Sequence, residues 1–198
     1  MMPEESSIIV GKKEEEKLGE RRIEESYNLC PIFPSVQDRY YTKFYYRDPD
    51  RERHLDQVLL LHSNRIVLVT LAPRHPLLCT SSATPFQVDY RVTPNCDRSL
   101  NASRGKGKRG AQGLDSNSNL CFVKPQGSSD SEFYRVKSLV KGKLLEVNEY
   151  LIKDPELLRK DPQGSGYIAL ILPTLPDGLH EIKTRYLTQE EYLKEEED

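Results

Sequence analysis

Lys141-Gly142-Lys143-Leu144-Leu145-Glu146-Val147-Asn148-Glu149, followed by Asp154-Pro155-Glu156-Leu157-Leu158 and then Gly164-Ser165-Gly166-Tyr167-Ile168, is the run that decides the fold. Its first piece reads as a strand over Lys143 to Val147 that pivots at Gly142, where a residue without Cβ permits close backbone approach. In the second, Asp154 stands as an N-cap before a proline at the first helical position, which predicts one or two turns over Pro155 to Lys160. The third is a glycine bend that returns the chain into a strand over Tyr167 to Leu172.

Upstream, Gln57 to Leu61 and Ile66 to Leu71 are apolar, β-branched runs separated by His62-Ser63-Asn64-Arg65, the pattern of a β-hairpin. Phe86 to Val92 alternates as one strand, and further strands are expected at Leu120 to Val123 and Phe133 to Val140. Ser35 and Asp38 have the spacing of a capping box, and Val36, Tyr40 and Phe44 follow at four-residue steps, so a short helix is expected on the core there. Tyr41 and Tyr45 beside it read as core rather than as a binding face. Thr188 and Glu191 form a second capping box, which predicts a C-terminal helix through Tyr192 and Leu193. Many short strands at close spacing indicate a mainly β fold, barrel or sandwich, with short peripheral helices.

The 198 residues, 36% hydrophobic and 30% charged, suit one domain with polar ends. Residues 1–33 form a charged arm expected to be disordered or loosely helical, 34–187 the domain, and 188–198 the closing helix and acidic tail. Charge is uneven: residues 1–29 carry a net −3 and 188–198 a net −5, leaving +6 on the body between them. Such a body suits an acidic partner. Cys30, Cys79, Cys96 and Cys121 are widely spaced and form no Cys-x-x-Cys pair, so reduced thiols are expected and a zinc site is not. Ile168 to Leu172 is too short to span a bilayer, and a cytosolic or nuclear protein without membrane insertion is expected.

Gly105-Lys106-Gly107-Lys108-Arg109-Gly110 invites a phosphate-loop reading but fails it, because no Gly-Lys-Ser/Thr opens a helix. What survives is a flexible basic loop, with Arg98, Arg104, Lys106, Lys108 and Arg109 as candidate partner-binding residues, for an acidic protein patch, for phosphates or within a nuclear-import signal. A nucleophile elbow is missing, and His54, His62, His75 and His180 lack metal or catalytic spacing. Cys96 has no histidine nearby in sequence. No catalytic residue, metal or cofactor is therefore assigned, and the chain reads as a non-enzyme.

From Val140 to Ile171 the chain resembles the C-terminal half of the glycine cleavage system H protein, whose fold is the lipoyl-type barrel-sandwich hybrid, and Leu187 to Tyr192 is similar to that family's closing helix. In an ungapped register the resemblance puts Ser131, eleven residues before Gly142, at the lipoyl position. Serine cannot form the amide. Lys124 and Lys137 on either side lack the family's Glu-Ser-Val-Lys context, which implies that the fold is kept and the swinging arm lost.

Five motifs in order, Pro34-Ser35-Val36-Gln37-Asp38-Arg39-Tyr40, Leu61-His62-Ser63-Asn64-Arg65-Ile66, Asn95-Cys96, Lys108-Arg109-Gly110-Ala111-Gln112 and Leu145-Glu146-Val147-Asn148-Glu149, resemble the Abitram (Simiate) family of actin-binding transcription modulators. That resemblance implies binding to monomeric and filamentous actin, effects on actin polymerisation and filopodia, and residence in nucleus and cytoplasm, including nuclear speckles and actin-rich projections. Charge complementarity at Arg104 to Arg109 is the physical route expected. Exposed ion pairs contribute only about 0 to 1 kcal/mol each, so an apolar anchor is required too. The alternatives are a lipoate-carrying or lipoate-handling component and a nuclear nucleic-acid-binding module using the same loop. Nucleic acid is disfavoured because no aromatic residue interleaves with the basic cluster.

Overall fold

The computed structural model describes residues 35–50, 55–79, 84–127 and 133–194. The chain divides into two units, Met1–Pro34 and Ser35–Asp198. The expected charged arm, 1–33, lies outside the described residues. The second unit runs α1 (Val36–Tyr40), β1 (Tyr41–Tyr46), β2 (Gln57–His62), β3 (Val67–Leu71), α2 (Pro76–Cys79), β4 (Phe86–Asp89), β5 (Arg91–Thr93), β6 (Cys96–Asp97), β7 (Gly113–Leu114), β8 (Asn119–Pro125) and β9 (Tyr134–Lys137). It continues through β10 (Gly142–Val147), α3 (Tyr150–Lys153), α4 (Leu157–Lys160), β11 (Ala169–Pro173), α5 (Asp177–Arg185), β12 (Leu187–Thr188) and α6 (Gln189–Lys194). One antiparallel sheet has the order β12-β1-β2-β3-β11-β10-β7, a second β4-β8-β9, and β5 pairs with β6.

Burial of both faces explains why the hairpin β2–β3 is apolar along most of its length. Leu59, Val67, Val69 and Leu71 enter the main core, where they meet Phe86, Val88, Val123 and Val136 of the smaller sheet. Val58, Leu60 and Leu68 point to the opposite face, where Tyr45 and Tyr192 cover them. The two sheets thus sandwich one core, and α6 closes the outer face of the larger sheet. Gln57 joins the sheets. Its side chain donates to the Lys137 carbonyl at 2.9 Å and accepts the Lys137 N–H at 3.0 Å, imitating a strand partner. Gly142 is the pivot its sequence suggests, because a Cβ there would strike the Leu172 carbonyl oxygen of the neighbouring strand.

Three expectations change. The capping box at Ser35 forms, with Ser35 Oγ accepting the Asp38 N–H at 3.1 Å, but the helix ends at Tyr40. Aromatic, strand-favouring residues take over at Tyr41, so Phe44 and Tyr45 are buried from a strand rather than a helix. Phe86 to Val92 is broken at Tyr90, where the Asp89 carboxylate accepts the Arg91 N–H at 2.9 Å and turns the chain out of one sheet into another. The helix after Asp154 begins only at Leu157, and no side chain caps it. The C-terminal box is made in full, with Thr188 N–H donating to Glu191 Oε2 at 2.7 Å and Glu191 N–H to Thr188 Oγ1 at 3.3 Å. The helix α5 goes beyond the sequence reading.

His75 makes stability depend on acid. Its ring is buried edge-on to Tyr134, Nδ1 accepts the Leu77 N–H at 3.2 Å, and burial pushes its pKa from the ordinary 6.5 to about 4. The unfolded chain therefore takes up a proton that the folded chain refuses. Stability present above pH 6.5 is lost progressively as pH falls to about 4, by about 3 kcal/mol from this group. Urea unfolding at pH 7 and pH 4.5 should show His75→Asn, which keeps the acceptor but cannot titrate, losing less stability than the wild type; equal losses would remove His75 from the acid response.

Candidate partner-binding surface

The basic stretch is a closed turn and not a flexible loop. Arg104 N–H donates to the Arg109 carbonyl at 3.0 Å and Arg109 N–H to the Arg104 carbonyl at 2.9 Å, while Lys108 N–H closes on Gly105 at 3.1 Å. Three residues sit at positive φ: Gly105 at 67°, Lys108 at 50° and Gly110 at 80°. At Gly110 a Cβ would lie 2.6 Å from the Ala102 carbonyl, so only glycine fits. From the neighbouring strand, Lys143 Nζ donates to the Gly107 carbonyl at 3.0 Å and pins the tip. Arg104, Lys106 and Arg109 are exposed and Lys108 is half-buried, and none of the four makes an ion pair among the described residues.

Arg98 leaves the candidate set. It is only 8% exposed, with Nη1 donating to Gln112 Oε1 at 2.7 Å and Nε to the Asn119 carbonyl at 3.2 Å. A buried guanidinium spent on two part-buried acceptors braces the base of the turn and is shielded from a partner. Gln112 is the hub of that base. Its Nε2 donates to the Asp97 carbonyl at 2.8 Å, its N–H to Asn101 Oδ1 at 2.8 Å, and its carbonyl accepts the Leu144 N–H at 2.9 Å. Asn101 Nδ2 in turn reaches the carbonyls of Leu144 and Leu145 at 2.9 and 3.0 Å, where a bulge in β10 offers two successive acceptors.

Leu100 was not singled out by the sequence reading. It projects between two polar turn residues and is 78% exposed, four positions before Arg104. The available signal was a lone apolar residue in a run of turn formers. Ser131, the position aligned with a lipoyl lysine, falls in the segment between β8 and β9 and lies outside the described residues. Lys124 Nζ is 3.0 Å from Asp89 Oδ2, and Lys137 is paired along its backbone with Gln57. Among the described residues no three His, Cys, Asp or Glu side chains converge as metal ligands, and no helix is long and apolar enough to cross a membrane. Cys79, Cys96 and Cys121 are free thiols, and Cys30 lies outside the described residues.

A family model described as glycine cleavage H-protein matches residues 128–198, in keeping with the mainly β, H-protein-like sandwich and its short helices. A glycine cleavage system H protein from Mycobacterium marinum has 15% identity and a TM-score of 0.47 over 78% of this chain and 97% of that chain. Protein Abitram of Xenopus tropicalis is 41% identical over 85% of this chain and 89% of its own length. The human protein of the same name is 41% identical over 82% and 87%, and that of Drosophila melanogaster 39% over 81% and 69%. With identity of this order sustained along most of both partners, the chain belongs to the Abitram family.

Proposed function

We propose that this protein is a non-enzymatic actin-binding module that modulates actin polymerisation and filopodia, with a nuclear, transcription-linked role beside its cytoplasmic one, and that the closed turn Arg104 to Arg109, together with the exposed Leu100 four positions before it, is the contact surface. The observation that carries the reading is the placement of four cations, Arg104, Lys106, Lys108 and Arg109, on a turn whose own backbone holds Arg104 directly opposite Arg109. Like charges facing across a bridge destabilise it, and a non-glycine residue at positive φ, here Lys108, costs on the order of 1 kcal/mol. An arrangement that opposes stability in two ways, among the described residues without a compensating carboxylate, fits a surface awaiting an anionic partner. Leu100 supplies the apolar anchor that exposed charges alone lack.

Co-sedimentation with actin filaments tests this. Changing Lys106, Lys108 and Arg109 together to Glu should weaken pelleting by about tenfold or more, and wild-type binding should fall as salt rises. Leu100→Asp should weaken it as well, without loss of thermal stability, because the side chain is solvent-exposed. Undiminished pelleting of the triple variant would remove the turn from the account.

A further inference from the structure

A second concave surface combines what the basic turn lacks. Between α1, the β2–β3 turn and α5 lies a groove of about 590 Å³. Tyr40, Tyr41 and His62 supply three rings, and Arg39, Arg65 and Lys183 supply three cations. The rings are ordered by one another. Tyr41 meets His62 edge-on with centroids 4.9 Å apart, and Tyr40 lies 6.2 Å from His62 at a tilt of 30°. His62 Nδ1 accepts the Asn64 N–H at 3.1 Å, which fixes the orientation of the ring. Tyr40 is 52% exposed, so its ring is accessible from solvent. Arg65 and Lys183 have no ion-pair partner among the described residues, and Arg39 lies over the Tyr40 ring at 5.6 Å. Asp38, the one carboxylate lining the groove, is neutralised by Lys43 at 2.7 Å, with Ser35 Oγ also on it.

We infer that this groove binds single-stranded nucleic acid, with unpaired bases stacking on Tyr40 and the His62–Tyr41 pair and backbone phosphates meeting Arg39, Arg65 and Lys183. One exposed and two half-buried rings beside cations without ion-pair partners among the described residues, all on one concave wall, have the recurring chemistry of such sites. A duplex buries its π-faces and cannot use the rings, and an acidic peptide has no need of them. The expectation against nucleic acid rested on the absence of rings around Arg104 to Arg109. Here they surround a different set of cations, brought together from segments more than 140 positions apart in the chain.

Fluorescence anisotropy of labelled twelve-nucleotide oligo-U RNA and oligo-dT DNA, compared at low salt and then across a salt series, tests the inference with the full chain. Binding of either oligomer supports it, and the tighter one identifies the sugar. Tyr40→Ala should weaken binding about tenfold, the size of one lost stacked base, whereas Tyr40→Phe should hold it. Arg65→Glu with Lys183→Glu should weaken it further and flatten the salt dependence. Filament pelleting should be unaffected by Tyr40→Ala, which separates failure here from failure at the basic turn. No binding by the wild type, equal binding by Tyr40→Ala, or equal competition by duplex or by polyglutamate would overturn the inference.

Discussion

Truncating Tyr192 to alanine is expected to lower the free energy of unfolding by about 4 kcal/mol, the range for removing a large buried ring. Tyr192 is 1% exposed although it sits on the last short helix, α6. Its ring stacks on Tyr45 with centroids 4.4 Å apart, Arg47 and Arg74 lie about it at 5.2 and 5.1 Å, and its hydroxyl donates to Asp56 Oδ2 at 2.8 Å. The same ring covers Val58, Leu60 and Leu68, so its loss opens the outer face of the larger sheet to water. Tyr192→Phe keeps the cover and removes one donor from a buried carboxylate that retains the Asp48 N–H at 2.8 Å; a cost of about 1 to 2 kcal/mol follows. Urea denaturation of the three proteins gives the order wild type, Phe, Ala. A drop under about 1 kcal/mol for the alanine variant would show that α6 is an appendage rather than part of the fold.

Asn148 is the second position where a single change is expected to cost about 3 kcal/mol or more, because three polar groups lose their partner together. Its Nδ2 donates to the carbonyls of Ser165 and Tyr167, each at 2.8 Å, and Oδ1 accepts the Tyr150 N–H at 3.2 Å. Its own carbonyl and that of Ile168 accept the buried Tyr90 hydroxyl at 3.0 Å. One residue thus ties β10, the start of α3, the glycine bend and the turn after β4. Asn148→Ala removes the three side-chain bonds and leaves the Tyr90 bond, which is made to the backbone carbonyl. Asn148→Asp does more harm at pH 7, since a carboxylate would face two carbonyl oxygens, which raises its pKa in the folded state. The penalty is full above that raised value and fades as pH falls through it, so the aspartate variant should regain stability relative to alanine between pH 7 and pH 4. Melting curves across that range check the sign; parallel curves for the two variants would refute the donor role of Nδ2.

Asn148 and Gln112 stand in stretches the sequence marks, yet for reasons the sequence does not state. Asn148 lies in Leu145 to Glu149, and Gln112 closes Lys108 to Gln112. Each proves to be a side chain that substitutes for strand pairing, taking up backbone groups from segments distant in sequence. The basic turn was legible as composition, and its glycines as turn formers. That Arg98 points inward while Leu100 points outward was not, because both sit among the same turn-forming neighbours and no periodicity assigns them a face. The short helix at Ser35 was overextended for a related reason. A cap specifies where a helix starts, but the strand partner of Tyr41 to Tyr46 decides where it stops.

From the amino-acid order alone came the mainly β plan, the β2–β3 hairpin, the pivot at Gly142, the Thr188–Glu191 cap and the family, since each rests on backbone propensity, spacing of a few residues or identity in register. Tertiary structure alone decided which cations face solvent, that Leu100 is exposed while Arg98 is buried, and that Tyr40, His62 and Lys183 share one groove. Exposure and juxtaposition are set by how distant segments pack, and propensity, which acts within a few residues, carries no information about that.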